Sequence, residues 1–200
     1  MNFDGAAQAW DTPLRRARAE ILAAQICGVW KDRPDKPDSV LDFGCGSGLI
    51  AFELRGHAGM VYGYDPSEEM GRVFEAKREA LHADNVRFVD GAEMRSRRYN
   101  AIVSSMVFHH IRDVAGEIAS LKPLLAPGGR FIWIDLDRED GSFHAEEPGF
   151  DGHNGFGRDE VLRILTGCGF REVFIRTAFE GEKPANGRAV PYSLFLAAAR

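Results

Sequence analysis

Apolar residues in this 200-residue chain gather into short continuous runs that alternate with longer stretches of helical period. Runs at 40–43, 60–64, 86–89, 101–105 and 130–134 have the length of strands buried on both faces. Between and after them, 47–55, 68–82, 114–125 and 158–168 fit helices. An earlier helix starts at Thr12-Pro13, a capping hydroxyl followed by proline at the first helical position. Ile21, Leu22, Gln25, Ile26, Val29 and Trp30 then form its largely apolar stripe, and the polar, proline-rich segment 31–38 ends it. The last two apolar runs, 170–178 and 192–199, have no helix between them and are expected to pair antiparallel across a Gly/Pro-rich loop at 179–191.

Strand–helix alternation of this kind predicts an α/β fold: a doubly wound, seven-stranded sheet, mostly parallel with an antiparallel C-terminal strand. Right-handed crossovers bring the carboxyl ends of the parallel strands to one edge, where a ligand is expected at the switch in strand order. The expected organisation is a single domain over 1–200. It comprises an N-terminal helical cap (1–38), a cofactor-binding core (39–135), a substrate-facing loop (136–157) and a C-terminal helix with a β-hairpin (158–200).

At the end of the first run stands Val40-Leu41-Asp42-Phe43-Gly44-Cys45-Gly46-Ser47-Gly48-Leu49. Three glycines at alternate positions permit an unusual turn, bare backbone facing a ligand, and close approach of strand to helix. The spacing is G-x-G-x-G, and Leu49 stands where a dinucleotide loop would have its third glycine, which turns the reading away from NAD. About twenty residues on, the second strand ends in Tyr64-Asp65-Pro66, and a carboxylate there matches the two hydroxyl donors of a ribose.

Together these segments resemble motif I and the following acidic motif of the class I S-adenosylmethionine-dependent methyltransferases. The resemblance continues in Ala101-Ile102-Val103-Ser104-Ser105-Met106-Val107-Phe108-His109-His110-Ile111, which looks like the family's fourth strand and its histidine-containing exit. Leu121-Lys122-Pro123-Leu124-Leu125-Ala126-Pro127-Gly128-Gly129-Arg130-Phe131 looks like its helix end, Pro-Gly-Gly turn and fifth strand. The match is close over 39–135 and looser elsewhere.

The resemblance implies a Rossmann-like methyltransferase fold and S-adenosylmethionine as cofactor. It implies that Asp42, Gly44, Cys45 and Gly46 border the methionine portion, that Asp65 takes the ribose hydroxyls, that Met70 packs on adenine or in the core, and that Gly48 and Pro66 also belong to the cofactor site. Asp90 with the Gly91–Ala92 backbone would read the adenine edge, Glu93 being the competing acid, and Ser105, at the end of the fourth strand, would also belong to the cofactor site. His109 and His110, at the exit of that strand, are candidate catalytic bases. Phe3 and Trp10 are candidate lid residues, and His144 and His153 candidate substrate contacts in the loop after the fifth strand.

Composition narrows the partners. A net charge of −5 with scattered basic residues disfavours nucleic acid, and no run approaches a membrane span. Cys27, Cys45 and Cys168 form no C-x-x-C pair and read as reduced thiols of a cytoplasmic protein. The spacing of Asp135, Asp137, His144 and His153 matches no compact metal motif, so no metal is expected. The fourth strand's exit lacks the Asp/Asn-Pro-Pro-aromatic tetrad of adenine or glutamine amino methylation, and the chain lacks a Pro-Cys nucleophile. The expected activity is methyl transfer to a small-molecule acceptor through an O, N or C nucleophile. A non-catalytic S-adenosylmethionine-binding protein or a protein methyltransferase are the alternatives.

Overall fold

A computed structural model describes residues 3–30, 36–147, 149–185 and 187–200, with the side chain of Phe3 outside that description. Seven strands form one sheet in the order β3-β2-β1-β4-β5-β7-β6. They are β1 (Ser39–Phe43), β2 (Met60–Tyr64), β3 (Val86–Phe88), β4 (Tyr99–Ser105), β5 (Leu125–Leu136), β6 (Phe174–Ala185) and β7 (Arg188–Ala199). Strands β1 to β5 pair in parallel, and β7 runs antiparallel between β5 and β6. The sheet is therefore the mixed, doubly wound one that the alternation predicts.

Among the described residues seven α-helices accompany it: α1 (Phe3–Ala6), α2 (Pro13–Trp30), α3 (Leu49–Leu54), α4 (Glu68–Ala80), α5 (Gly91–Arg95), α6 (Val114–Leu121) and α7 (Arg158–Gly167). Side-chain alternation along the strands feeds two cores. Val40, Ile132, Ile134 and Leu196 face α2, α3 and α4, while Leu41, Phe131, Trp133 and Ala197 face α5, α6 and α7. This is why the strands read as continuous apolar runs. Among the described residues no helix is long and apolar enough to cross a membrane.

Local chemistry sets the element ends. The Thr12 hydroxyl accepts from Arg15 N at 3.3 Å, as a helix start there requires. Ser67 caps α4 by accepting from Met70 N at 3.2 Å, with Glu68 and Glu69 in the first turn and Lys77 and Arg78 in the last. Pro123 ends α6 early, turning 122–124 into a 3-10 turn instead of continuing to 125. Two expectations are revised. The Pro127-Gly128-Gly129 segment lies within β5, where the register against β4 shifts between Tyr99 and Ala101 and Gly128 adopts φ +72°. The expected 179–191 loop is almost entirely strand, because Gly/Pro content there sits on the outer hairpin of β6 and β7, where ladder pairing persists from Phe179–Leu194 to Ala185–Arg188. Most of the expected 31–38 break lies outside the described residues.

Candidate active site

The order of strands reverses between β1 and β4, and a cavity of about 470 Å³ opens there at their carboxyl ends. Its floor is the glycine loop. Gly44 N and Cys45 N donate to Tyr64 O at 2.7 and 2.9 Å, tying the loop to the end of β2. Gly44 has φ +73°, and a Cβ there would stand 2.4 Å from a Val107 methyl. A Cβ on Gly46 would instead project into the cavity, with Trp10 Nε1 at 3.5 Å and Met70 Sδ at 3.9 Å as its nearest neighbours. Gly48 serves packing: its Cβ would strike the rings of Phe52 and Phe74.

Asp65 braces this floor from β2. One oxygen accepts from Gly46 N and the other from Ser67 N, both at 2.9 Å. Each oxygen keeps a further lone pair, so the carboxylate can still receive two hydroxyls. Burial raises its pKa against the pull of those two amides. Asp42, buried at the end of β1, has Oδ2 without a hydrogen-bond partner. Burial pushes its pKa up to about 7, opposed by the Ala51 backbone and reinforced by Asp65. A buried acceptor left open at a cavity wall suits a cationic or hydrogen-bond-donating ligand. Cys45 is buried and its thiol is held well above the ordinary value, first by burial and then by Asp42 and Asp65, so it stays protonated.

The N-terminal segment covers the loop. Asp11 receives Lys77 Nζ at 2.6 Å and the Ser47 hydroxyl, and Asp4 receives the Ser67 hydroxyl at 2.5 Å. Trp10 lines the cavity with the Arg15 guanidinium stacked 3.9 Å from its ring centre. The lid expectation for Phe3 lies outside the described residues.

Of the residues singled out from the sequence, Asp42, Gly44, Cys45, Gly46, Asp65, Pro66, Met70, Ser105, Trp10 and His110 line this one cavity. Gly48, Asp90, Gly91, Ala92, His109, His144 and His153 do not. Asp90 caps α5 by accepting from Glu93 N at 2.8 Å, while Glu93 binds Arg97 at 2.7 Å. Gly91 lies against Tyr64, a cavity residue, so the α5 start borders the cavity through that ring. His153 Nε2–H donates to Ile111 O at 3.0 Å and its backbone N–H donates to His109 O at 2.7 Å, which pins the 136–157 loop to the exit of β4.

Behind His110 lies a buried polar group. His109, 1% exposed, places Nδ1 2.5 Å from Asp135 Oδ1. Asp135, at the carboxyl end of the apolar run of β5, also accepts from His109 N, Trp133 Nε1 and Leu136 N. Burial alone would raise its pKa, but the His109 charge and these donors bring it below the ordinary value. His144 stacks on Phe150 with centroids 3.7 Å apart and packs against both His109 and His110. Burial, then the neighbouring His109, lowers both His110 and His144 to about 3, so both rings are neutral at physiological pH.

Sequence reasoning passed over Arg15, Arg18, Tyr64, Met106, Val107 and Glu117, all on the cavity wall. Nothing in the helical spacing of Arg15 and Arg18 separates them from solvated helix residues. Asp135 had a signal, an acid ending an apolar strand run like Asp42, but it had been weighed only as a metal ligand.

The sequence profile described as "Methyltransferase domain" matches residues 14–180. The chain belongs to the methyltransferase-domain family. An uncharacterised methyltransferase of Schizosaccharomyces pombe is 31% identical over 145 residues, covering 64% of this chain and 51% of that protein. A tRNA U34 carboxymethyltransferase of Pseudoalteromonas translucida is 34% identical over 135 residues, covering 60% and 42%. The chain thus spans about half the length of the curated relatives it matches. Among solved structures, a SAM-dependent methyltransferase from Aquifex aeolicus superposes with a TM-score of 0.69 at 20% identity, covering 98% of this chain and 97% of that one. The sheet is the Rossmann-like one of this family, and S-adenosylmethionine is its cofactor. The residues here fit that ligand: a bare glycine floor, paired acceptors on Asp65, and an open buried acceptor on Asp42 for the cationic methionine end.

Proposed function

We propose that this protein transfers a methyl group from S-adenosylmethionine to a small-molecule acceptor. One observation carries the reading. A single cavity joins the cofactor-type floor of Asp42, Gly44, Gly46 and Asp65 to a second wall formed by Arg15, Arg18, Ser105 and His110. Bound there, S-adenosylmethionine supplies an electrophilic methyl on a sulfonium. The chain's own residues hold the two reactants in one geometry, which can provide much of the acceleration in such a displacement. Asp65 and the glycine loop fix the nucleoside, Asp42 the methionine end, and Trp10 covers the loop against water. Arg15 and Arg18 offer donors to a polar or anionic acceptor. His110, neutral and on the wall, presents its ring to the acceptor.

A cavity of about 470 Å³ and a net charge of −5 support a small acceptor over the tRNA that one relative's name carries. Three free cysteines support a reducing, cytoplasmic setting. Calorimetric titration with S-adenosylhomocysteine, beside NADH, tests the reading. Micromolar binding of the first alone is expected, followed by label transfer from methyl-labelled donor to members of a small-acceptor panel. Absence of S-adenosylhomocysteine binding by the folded chain would overturn it.

A further inference from the structure

His109, His110 and His144 each bring a ring nitrogen to one place, all within 4.8 Å of one another. The first two leave β4 in the 3-10 turn Phe108–His110, and the third ends the turn Ser142–His144 after β5. Two independent observations mark the group as more than packed aromatics. Asp135 Oδ1 takes Nδ1 of His109 at 2.5 Å, so in the neutral ring the proton sits on Nδ1 and the lone pair on Nε2. A buried carboxylate holding the far nitrogen of an imidazole is the arrangement that fixes the tautomer and orientation of a metal-binding histidine. His144 is only 5% exposed, and its Nδ1 is buried with no hydrogen-bond partner. Buried polar atoms are nearly always satisfied, so an open one beside two other imidazoles calls for an occupant.

We propose that His109, His110 and His144 bind a divalent transition-metal ion of the zinc type, with the open coordination position facing the methyl-transfer cavity. Three imidazoles select zinc, cobalt, nickel or copper over magnesium or calcium, which prefer oxygen. Three protein ligands with a fourth position left open is the pattern of reactive zinc sites. His109 binds through Nε2, backed by Asp135. His110 lies on the cavity wall and brings the open position toward the acceptor. Bonds of about 2.0–2.1 Å place tetrahedral ligand atoms roughly 3.3 Å apart. Binding therefore draws the rings inward from their present spacing. His144 is held there by stacking on Phe150, and His110 is half-buried, so both can close without breaking a strand. Metal binding rests on this ligand geometry alone, whereas contact between the ion and an acceptor atom rests on the methyl-transfer reading.

The test is zinc titration by calorimetry into the chelator-stripped full chain, with the visible absorption of bound cobalt as a second readout. S-adenosylhomocysteine titration of every sample reports whether fold and cavity are intact. One ion per chain is expected, with unchanged binding in His57→Ala, whose histidine is exposed and remote in sequence from the cluster. Asp135→Asn should weaken zinc by about 10–100-fold, and His144→Ala and His110→Ala by more than that. If His144→Ala fails to fold, the half-buried His110 carries the comparison. Zinc binding that is absent from a chain competent for S-adenosylhomocysteine, or equal in wild type, His110→Ala and His144→Ala, overturns the site. Zinc binding intact with no S-adenosylhomocysteine binding supports the metal site and removes the cofactor reading.

Discussion

The cavity floor and the buried group behind its His110 wall are built by different means. On the β1–β2 side the chain binds with its backbone: Gly44 and Cys45 hang from Tyr64 O, and Gly46 N and Ser67 N converge on Asp65. Every participant lies between residues 42 and 70, on two adjacent strands and the turns that follow them. On the β4–β5 side the chain works with buried side chains. His109 meets Asp135 from 26 positions away, and His144 arrives on a separate turn. A backbone site is a matter of turn conformation, which a few glycines dictate locally. A side-chain site depends on which face of each strand a residue points to and on what packs over it.

The comparison breaks most sharply at the glycines. Gly44→Val forces a Cβ to 2.4 Å from Val107 and a branched residue into φ +73°. A loss of about 2–5 kcal/mol of stability is expected in denaturant unfolding. Gly46→Ala meets nothing closer than 3.5 Å, so it should fold with a cost of about 1–2 kcal/mol from φ +52° alone, yet lose cofactor binding. Equal effects of the two on folding would show that the loop is structural throughout.

Next in size is Asp65→Ala, expected to weaken S-adenosylhomocysteine by about 1.5–3 kcal/mol. An unchanged Kd in the folded variant would remove Asp65 from the ribose.

A smaller effect follows from Asp42, whose ligand-free pKa lies near 7. A cationic ligand favours its ionised form, so binding below pH 7 must release a proton. Affinity should therefore rise as pH increases, by up to about tenfold per unit below pH 7, and level off above it. Asp42→Asn should flatten that profile. A wild-type Kd independent of pH between 5.5 and 8 would place the ligand's charge elsewhere.

The smallest change is expected at the lid. Asp11→Ala removes the Lys77 ion pair, whose partners are 20% and 14% exposed, and frees Ser47. Because the pair borders solvent, about 1 kcal/mol or less of cofactor affinity should go, seen mainly as faster dissociation in stopped-flow. No change in dissociation rate would mean that the N-terminal segment packs on the loop without gating it.

Much of this architecture was legible beforehand because strand periodicity and glycine spacing are local. The β1 and β2 runs, the glycine loop, Asp65 and the capped start of α2 all stand where the spacing put them. Element ends were less legible where neighbours decide them. The outer hairpin stays paired from Phe179 to Arg188 because each strand supplies the other's ladder, despite the Gly and Pro residues there. Arg15 and Arg18 could not be told from solvated helix residues until α2 was seen lying over the cavity.

What the sequence determined by itself was the alternation of elements, hence the sheet, and the glycine–acid signature that marks where backbone is left bare for a ligand. Both follow from conformational limits acting within a few residues. Tertiary structure alone decided that Asp135 points to the α5–α7 face, that His109 leans on it, and that His144 closes over both. Burial, strand register and crossovers set those contacts, and each joins residues whose neighbours in sequence carry no trace of the partner.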